Sequence, residues 1–182
     1  IAVCHLLAKL GGVRAEFTVY EWAPGRFYLV SAGADERHDH DTLYKLLPKD
    51  GSVKLNPITT RLGVLVLAGP NARKVLQKLT TADLSNEAFP WLSGQAISVG
   101  HASCHVLRVH FVGELGFEFH HPIEQQVALF DLLMEAGREF GIKPYGIKAM
   151  SSLSIEKSYR LVPRELSIEY SAYESGLDRF VH

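Results

Sequence analysis

Residues 62–68 read Leu-Gly-Val-Leu-Val-Leu-Ala, a run with no polar side chain. A run this short and this apolar fits a central strand covered on both faces. The next segments narrow the fold further. Gly69-Pro70-Asn71 turns the chain, and residues 72–79 carry Ala72, Val75, Leu76 and Leu79 at helical spacing. Residues 96–100 and 103–112 read as two strands and 117–120 as a third. Residues 123–140 give the clearest helix, with Ile123, Val127, Phe130, Leu133, Met134 and Gly137 on one face. Pro122 suits its start, where a missing N–H costs little, and Gly141 closes it. A further helix is expected over 146–159. The order strand, helix, two or three strands, helix is that of a ferredoxin-like, split βαβ domain.

A smaller piece precedes it. Residues 13–20 and 27–31 are β-branched and aromatic, and Ala23-Pro24-Gly25 between them signals a turn, so they form an expected hairpin. Residues 35–47 are charged at their start and then carry Leu43, Leu46 and Leu47, an amphipathic helix ended by Pro48 and Gly51. Val53–Leu55 and Ile58 fall in a short strand or loop. The expected class is therefore α+β: residues 61–182 hold the ferredoxin-like domain with a following helix and loop, and residues 1–60 hold part of a second small α+β domain. The chain opens without Met, and residues 178–182 read as the start of a strand, so both ends look cut from something longer.

Composition removes several function classes. A net charge of -1 gives no basic field for a nucleic-acid backbone. No apolar run approaches the ~18 residues of a membrane span, and no signal peptide is visible. Cys4 and Cys104 make neither a disulfide framework nor a Cys-rich metal site, and point to a reducing compartment.

The nine histidines invite a metal, but their spacing does not converge. His38-Asp39-His40-Asp41 lies at a helix start, where residues two apart do not share a face and Asp suits the positive dipole end. His105 shares a strand face with Leu107, Val109 and Phe111, while His110 points the other way; His120 and His121 face opposite sides. Solvated or core histidines are expected. Gly69–Lys74 lacks the glycine spacing and Lys-Ser/Thr pair of a phosphate loop, so Asn71 is expected as a helix cap.

Residues 111–119, Phe-Val-Gly-Glu-Leu-Gly-Phe-Glu-Phe, are different. Two glycines bracket a tight turn, and Glu118 leaves the face held by Phe117 and Phe119. If that second face is covered too, the carboxylate needs donors or is costly to bury. A pterin offers a matching pair, an amino group and a ring N–H. A solvent-facing Glu in a hairpin remains the plain alternative.

Five blocks in order then resemble one family. Gly11-Gly12-Val13 resembles the GG-V/I-x-D-D-L-x-V segment of the glycine-cleavage T-proteins. Leu67–Ala72 resembles their L-x-G-P-x-A, residues 111–119 their Y-T-G-E-x-G-F/Y-E, residues 146–157 their G-x-x-A-R-D-x-L-R-L-E, and residues 174–181 their E-A-G-L ending. Residues 73–85, Gly113-Glu114-Leu115-Gly116 and Ile155-Glu156-Lys157 are most similar to the dimethylglycine and sarcosine dehydrogenase branch.

That resemblance implies a tetrahydrofolate-binding domain that accepts a one-carbon unit from N-methyl amine oxidation. FAD would sit on a flavin-dependent amine dehydrogenase domain outside this chain, fused or separate. It implies Glu118 as pterin anchor, Phe111 packing on the pterin and Tyr20 lining the pocket, with Glu16 a candidate for polar or catalytic work. Where the family carries an aspartate this chain has Ala15, and its two arginines fall at Met150 and Ser154; Phe111 replaces its tyrosine. Two other readings remain: an aminomethyltransferase of the glycine cleavage system, and a non-catalytic relative that has lost folate binding. The family forms a three-domain ring, so this chain is expected to be an incomplete copy with exposed apolar surface and a tendency to self-associate. The compartment would be cytoplasmic if bacterial and the mitochondrial matrix if eukaryotic.

Overall fold

The computed structural model describes residues 1–178 and 181. Arg179, Phe180 and His182, on which the expected terminal strand falls, lie outside the described residues. The chain forms two compact units, Ile58–Tyr159 and a second one made of Ile1–Pro57 with Arg160–His182. The expected division at 60/61 is therefore corrected at the far end. The stretch after residue 159 belongs with the N-terminal piece, because its backbone is tied there. Val13 N–H donates to Ser167 O at 2.8 Å, and Gly12 bridges Ser171. Gly12 lies so near this stretch that a Cβ on it would meet Ile168 O at 2.5 Å.

In this unit, β1 (Ala2–Leu7), β2 (Val13–Ala23) and β3 (Arg26–Val30) form an antiparallel sheet in the order β1-β2-β3. The expected hairpin is β2–β3, with Gly25 at φ +70 in its turn. Strand β1 carried no clear sequence signal: its residues are mostly exposed and do not alternate. Along β2, Val13, Ala15 and Phe17 are buried, while Glu16, Thr18 and Tyr20 take the other face. Helix α1 (Glu36–Leu46) comes next, entered through a 3-10 turn at Gly33–Asp35. Residues 53–55 run as loop.

The other unit holds β4 (Leu62–Ala68), α2 (Ala72–Gln77), β5 (Gly94–Val99), β6 (Ala102–Leu107), β7 (Gly116–Pro122), α3 (Gln126–Gly137) and α4 (Ile147–Glu156). The α+β class is as the sequence indicates. The four strands pair antiparallel throughout, in the order β4-β7-β6-β5. Strand β4 is thus not central but an edge strand. Among the described residues it pairs with β7 alone, and one of its faces is uncovered: Gly63 and Leu67 are buried, whereas Val64 and Val66 are 43% and 42% exposed. The central place goes to β7, which pairs with both β4 and β6 and is buried at every residue from Gly116 to His121.

One face of this sheet carries the core. Phe117 and Phe119 from β7, Val106 and Cys104 from β6, Val99 from β5 and Leu67 from β4 pack with Val75 and Leu76 of α2 and Leu129 and Leu133 of α3. Phe89 tilts against Phe117 with ring centroids 5.7 Å apart. Helix α3 presents Leu129, Leu133, Ala136 and Gly137 inward, so the expected stripe is rotated. Ile123, Val127 and Phe130 are exposed. Ile123 lies in a preceding 3-10 turn, whose tighter winding takes it out of register with the helix. Gly141 closes the segment at φ +69. Asn71 occupies the first position before α2 but makes no side-chain capping bond; the turn is held instead by Ala72 N–H to Gly69 O.

Two outcomes are expected from this packing. Phe119 is fully buried, so Phe119→Ala should cost about 3–5 kcal/mol in urea unfolding. Burial lifts the Cys104 thiol to about 11, while Cys4 is exposed. Iodoacetamide at about pH 8 should therefore modify one thiol in the folded chain and the second only after unfolding, read by mass spectrometry.

Candidate functional site

The face of β7 opposite the core carries Glu118 and His120, two residues apart and therefore side by side. Strand pairing sets their neighbours. Glu118 stands opposite Val66 of β4 and Leu107 of β6, and His120 opposite Val64 and His105. Glu118 is 7% exposed and His120 1%. His120 Nε2 lies 3.3 Å from Glu118 Oε2. A carboxylate accepts only, so the imidazole nitrogen must be the donor in that contact when Glu118 is ionised. The plain alternative from the sequence, a solvent-facing hairpin Glu, is thereby removed.

Two further side chains sense the Glu118 charge. Burial raises the Tyr145 phenol above its ordinary value, and Glu118 raises it further. Burial lowers the His110 imidazole, while Glu114 and Glu118 pull it partly back. His110 stands just beyond β6, which ends at Leu107 rather than running to residue 112 as expected. The chain leaves the ladder there to place the ring. His110 Nδ1 accepts from Gly113 N–H at 3.0 Å, and the ring stacks on Tyr159 at 6.1 Å. Gly116 permits this approach, since a Cβ there would lie 2.8 Å from His110 Cβ.

Phe111 sits in the same turn with 41% of its surface exposed. Its carbonyl accepts from Ser154 Oγ, whose hydroxyl also reaches Met150 O at 2.9 Å. Ser154 is 1% exposed, so this place in α4 has room for a hydroxyl and none for a long cation. An open cleft of ≈550 Å³ runs beside β4, lined by Val64, Val66, Phe130, Tyr145 and Met150 among others. Glu118 is not one of its lining residues; Tyr145 belongs to both surroundings.

The other two sequence candidates stand on β2, in the other unit. Glu16 Oε2 pairs with His5 Nε2 at 2.8 Å. Tyr20, on the same face of β2, pairs with Tyr28 across the ladder, and burial raises its phenol. Ala15 is 3% exposed on the opposite face. The structure thus groups Glu118 and Phe111 in one unit and Glu16 and Tyr20 in the other. Sequence reading did not single out His120 or Tyr145 for the site. Two-residue alternation from Glu118 was a usable signal for His120; Tyr145 lies in a loop and had none.

His121 and His38 are bonded within the fold. His121 turns to the core side, where Nδ1–H donates to Phe119 O at 2.9 Å and Nε2 meets Gln126 at 2.8 Å. His38 pairs with buried Asp39, and Asp41 with Lys45. No group of three or more His, Cys, Asp or Glu side chains gathers to hold a metal among the described residues. Nor is any described helix long and apolar enough to cross a membrane.

Residues 1–182, the whole chain, match the GCVT N-terminal domain family. The chain belongs to that family. Among its curated relatives is human mitochondrial dimethylglycine dehydrogenase, 41% identical over 98% of this chain and 21% of that one. Mouse mitochondrial sarcosine dehydrogenase is 33% identical over 94% and 20%. An aminomethyltransferase of Thermoanaerobacter sp. (strain X514) is 34% identical over 94% and 46%. The chain thus spans about a fifth of the dehydrogenases and under half of the aminomethyltransferase. The crystal structure of the glycine cleavage system aminomethyltransferase T from Bartonella henselae shares the fold, with a TM-score of 0.72 at 23% identity over 93% of this chain and 44% of that one.

In this GCVT-family domain the buried imidazoles make stability depend on pH. His105 and His110 both sit below the ordinary value of 6.5, chiefly through burial. The folded state then binds fewer protons than the unfolded one around that value. Their contribution is complete above pH 6.5 and is lost as pH falls through it towards their folded values. Urea midpoints should drop between about pH 7.5 and pH 5.5; equal midpoints would show that burial of these rings does not control the pH response.

Proposed function

We propose that this domain binds tetrahydrofolate and serves an N-methyl amine dehydrogenase of the dimethylglycine or sarcosine type. The observation that carries the reading is Glu118: an acceptor-only side chain, nearly buried, on a strand covered on both faces. Such a group needs donors. One comes from His120, and two oxygens with about four acceptor sites leave capacity for a flat ligand edge bearing two N–H groups. A pterin presents such an edge. The neighbouring groups fit as well, since the Tyr145 phenol and the half-exposed Phe111 ring are suited to hydrogen bonding and stacking.

When bound, tetrahydrofolate would supply the carrier chemistry for the one-carbon unit. The chain's own residues bind and orient it. Glu118 fixes the donor edge and Phe111 offers an apolar face. Glu16 and Tyr20 are not needed for this reading; Glu16 already pairs with His5. FAD would belong to a flavin-dependent amine dehydrogenase domain outside this chain, fused or separate. The names of the relatives favour this branch, with the dehydrogenases at up to 41% identity. Aminomethyl transfer on the glycine cleavage pattern is the second reading, supported by the relative at 34%. Against it, Ala15 occupies the family's aspartate position with no carboxylate to offer.

The test is calorimetric titration with tetrahydrofolate of the wild type and Glu118→Ala. Removing a charge-assisted pair should cost about 1.5–3 kcal/mol, roughly ten- to a hundredfold in affinity. Equal affinity in the two proteins would move the site elsewhere. Absence of binding by the full-length protein would favour a relative that has given up folate.

A further inference from the structure

Binding a pterin edge asks one thing of Glu118 that its own strand does not guarantee. A Glu side chain has three rotatable bonds, and a bidentate contact requires the carboxylate plane to stand in one orientation. Burial narrows the choices, but hydrogen bonds decide among those left. His120 is placed to do this. It stands on the same face of the same strand, and its Nε2 lies 3.3 Å from Oε2. At 1% exposed it has almost no water to compete for its donor. It is also held from the side, facing Val64 on β4 and His105 on β6 across two ladders. Ladders on both sides of β7 keep the two Cα atoms in register, so the imidazole acts as a fixed donor behind a movable carboxylate.

We propose that His120 is a positioning residue for the ligand-binding carboxylate, donating from Nε2 to Glu118 Oε2 so that the remaining acceptor sites stay turned towards a ligand with two adjacent N–H donors. This rests on the folate reading. His120 need not touch the ligand. It lowers the cost of keeping an ionised carboxylate under cover before a ligand arrives, and it removes the rotamer search that binding would otherwise require. Oε2 still has acceptor capacity beside the His120 bond, so the donor does not compete with the ligand.

The experiment uses the full-length protein and tetrahydrofolate as the probe, with affinity read by calorimetry. His120→Leu keeps bulk and removes the donor. His120→Gln restores a neutral amide donor near the position of Nε2. We expect H120L to weaken binding roughly tenfold and H120Q to stay within about threefold of wild type. In a Glu118→Ala background, H120L should change affinity by less than about twofold, because its partner is gone. Wild-type affinity in H120L, failure of H120Q to restore it, or an equal loss in the Glu118→Ala background would each overturn the role. A merely structural histidine would give that last result.

Failure of the folate reading is seen separately: the full-length wild type then takes up no tetrahydrofolate, or Glu118→Ala leaves its affinity unchanged. In that case, or should H120L not fold, nitrogen-15 NMR of the His120 ring in the wild type and in Glu118→Gln decides whether the contact exists. The Nε2–H tautomer, with slow proton exchange that quickens in Glu118→Gln, supports the contact. An Nδ1–H tautomer in the wild type overturns it.

Discussion

Strand β7 is buried on both faces, and most of the larger unit depends on that. A strand between two partners has its backbone satisfied by ladders on either side. Its side chains must then be sorted by face. Phe117, Phe119 and His121 turn to the helices, and Glu118 and His120 turn away. The first set forms the core. The second places a carboxylate where water cannot fully solvate it, and that has to be answered by donors. His120 answers in part. The surrounding Tyr145 and His110 respond to the same charge, in the direction that an ionised Glu118 would impose. Fold and site therefore share one strand, and a disturbance of the core face would be felt at the carboxylate.

The turn before β7 shows how backbone and site are joined. Gly116 lets His110 pass close, Gly113 N–H holds the ring through Nδ1, and Ser154 ties the Phe111 carbonyl to α4. Each contact uses a small residue at a close approach. Ser154 spends its hydroxyl inside the domain on backbone carbonyls. Ala15 lies in the buried row of β2. At both positions a small side chain is enclosed.

The order of elements, the α+β class and the hairpin β2–β3 were legible in the sequence. They depend on local chemistry: β-branched runs, turn residues at Gly25 and Gly69-Pro70, and a helix closed by Gly141. Glu118 was legible too, because two-residue alternation sets it against Phe117 and Phe119 whatever the sheet order. Strand β1 was not, since an edge strand with mostly exposed residues has no hydrophobic period to read. The inward stripe of α3 was half right: Leu133 and Gly137 lie in it, while Phe130 and Val127 do not. A helix with apolar residues around much of its surface leaves the choice of face to its neighbours.

Sequence alone determined which residues alternate, where the chain turns and which side chain brings a charge to an apolar strand. These features arise from bond geometry and from side-chain periods of 2 and 3.6, which act over a few residues. Tertiary structure decided that β4 is an edge and β7 the centre, that residues from 160 onward return to the N-terminal unit, that His120 stands beside Glu118, and that Tyr145 and His110 lie within reach of its charge. Those outcomes depend on which strands pair and which faces are covered. Pairing is a contest among segments far apart in the chain, and no local pattern records its result.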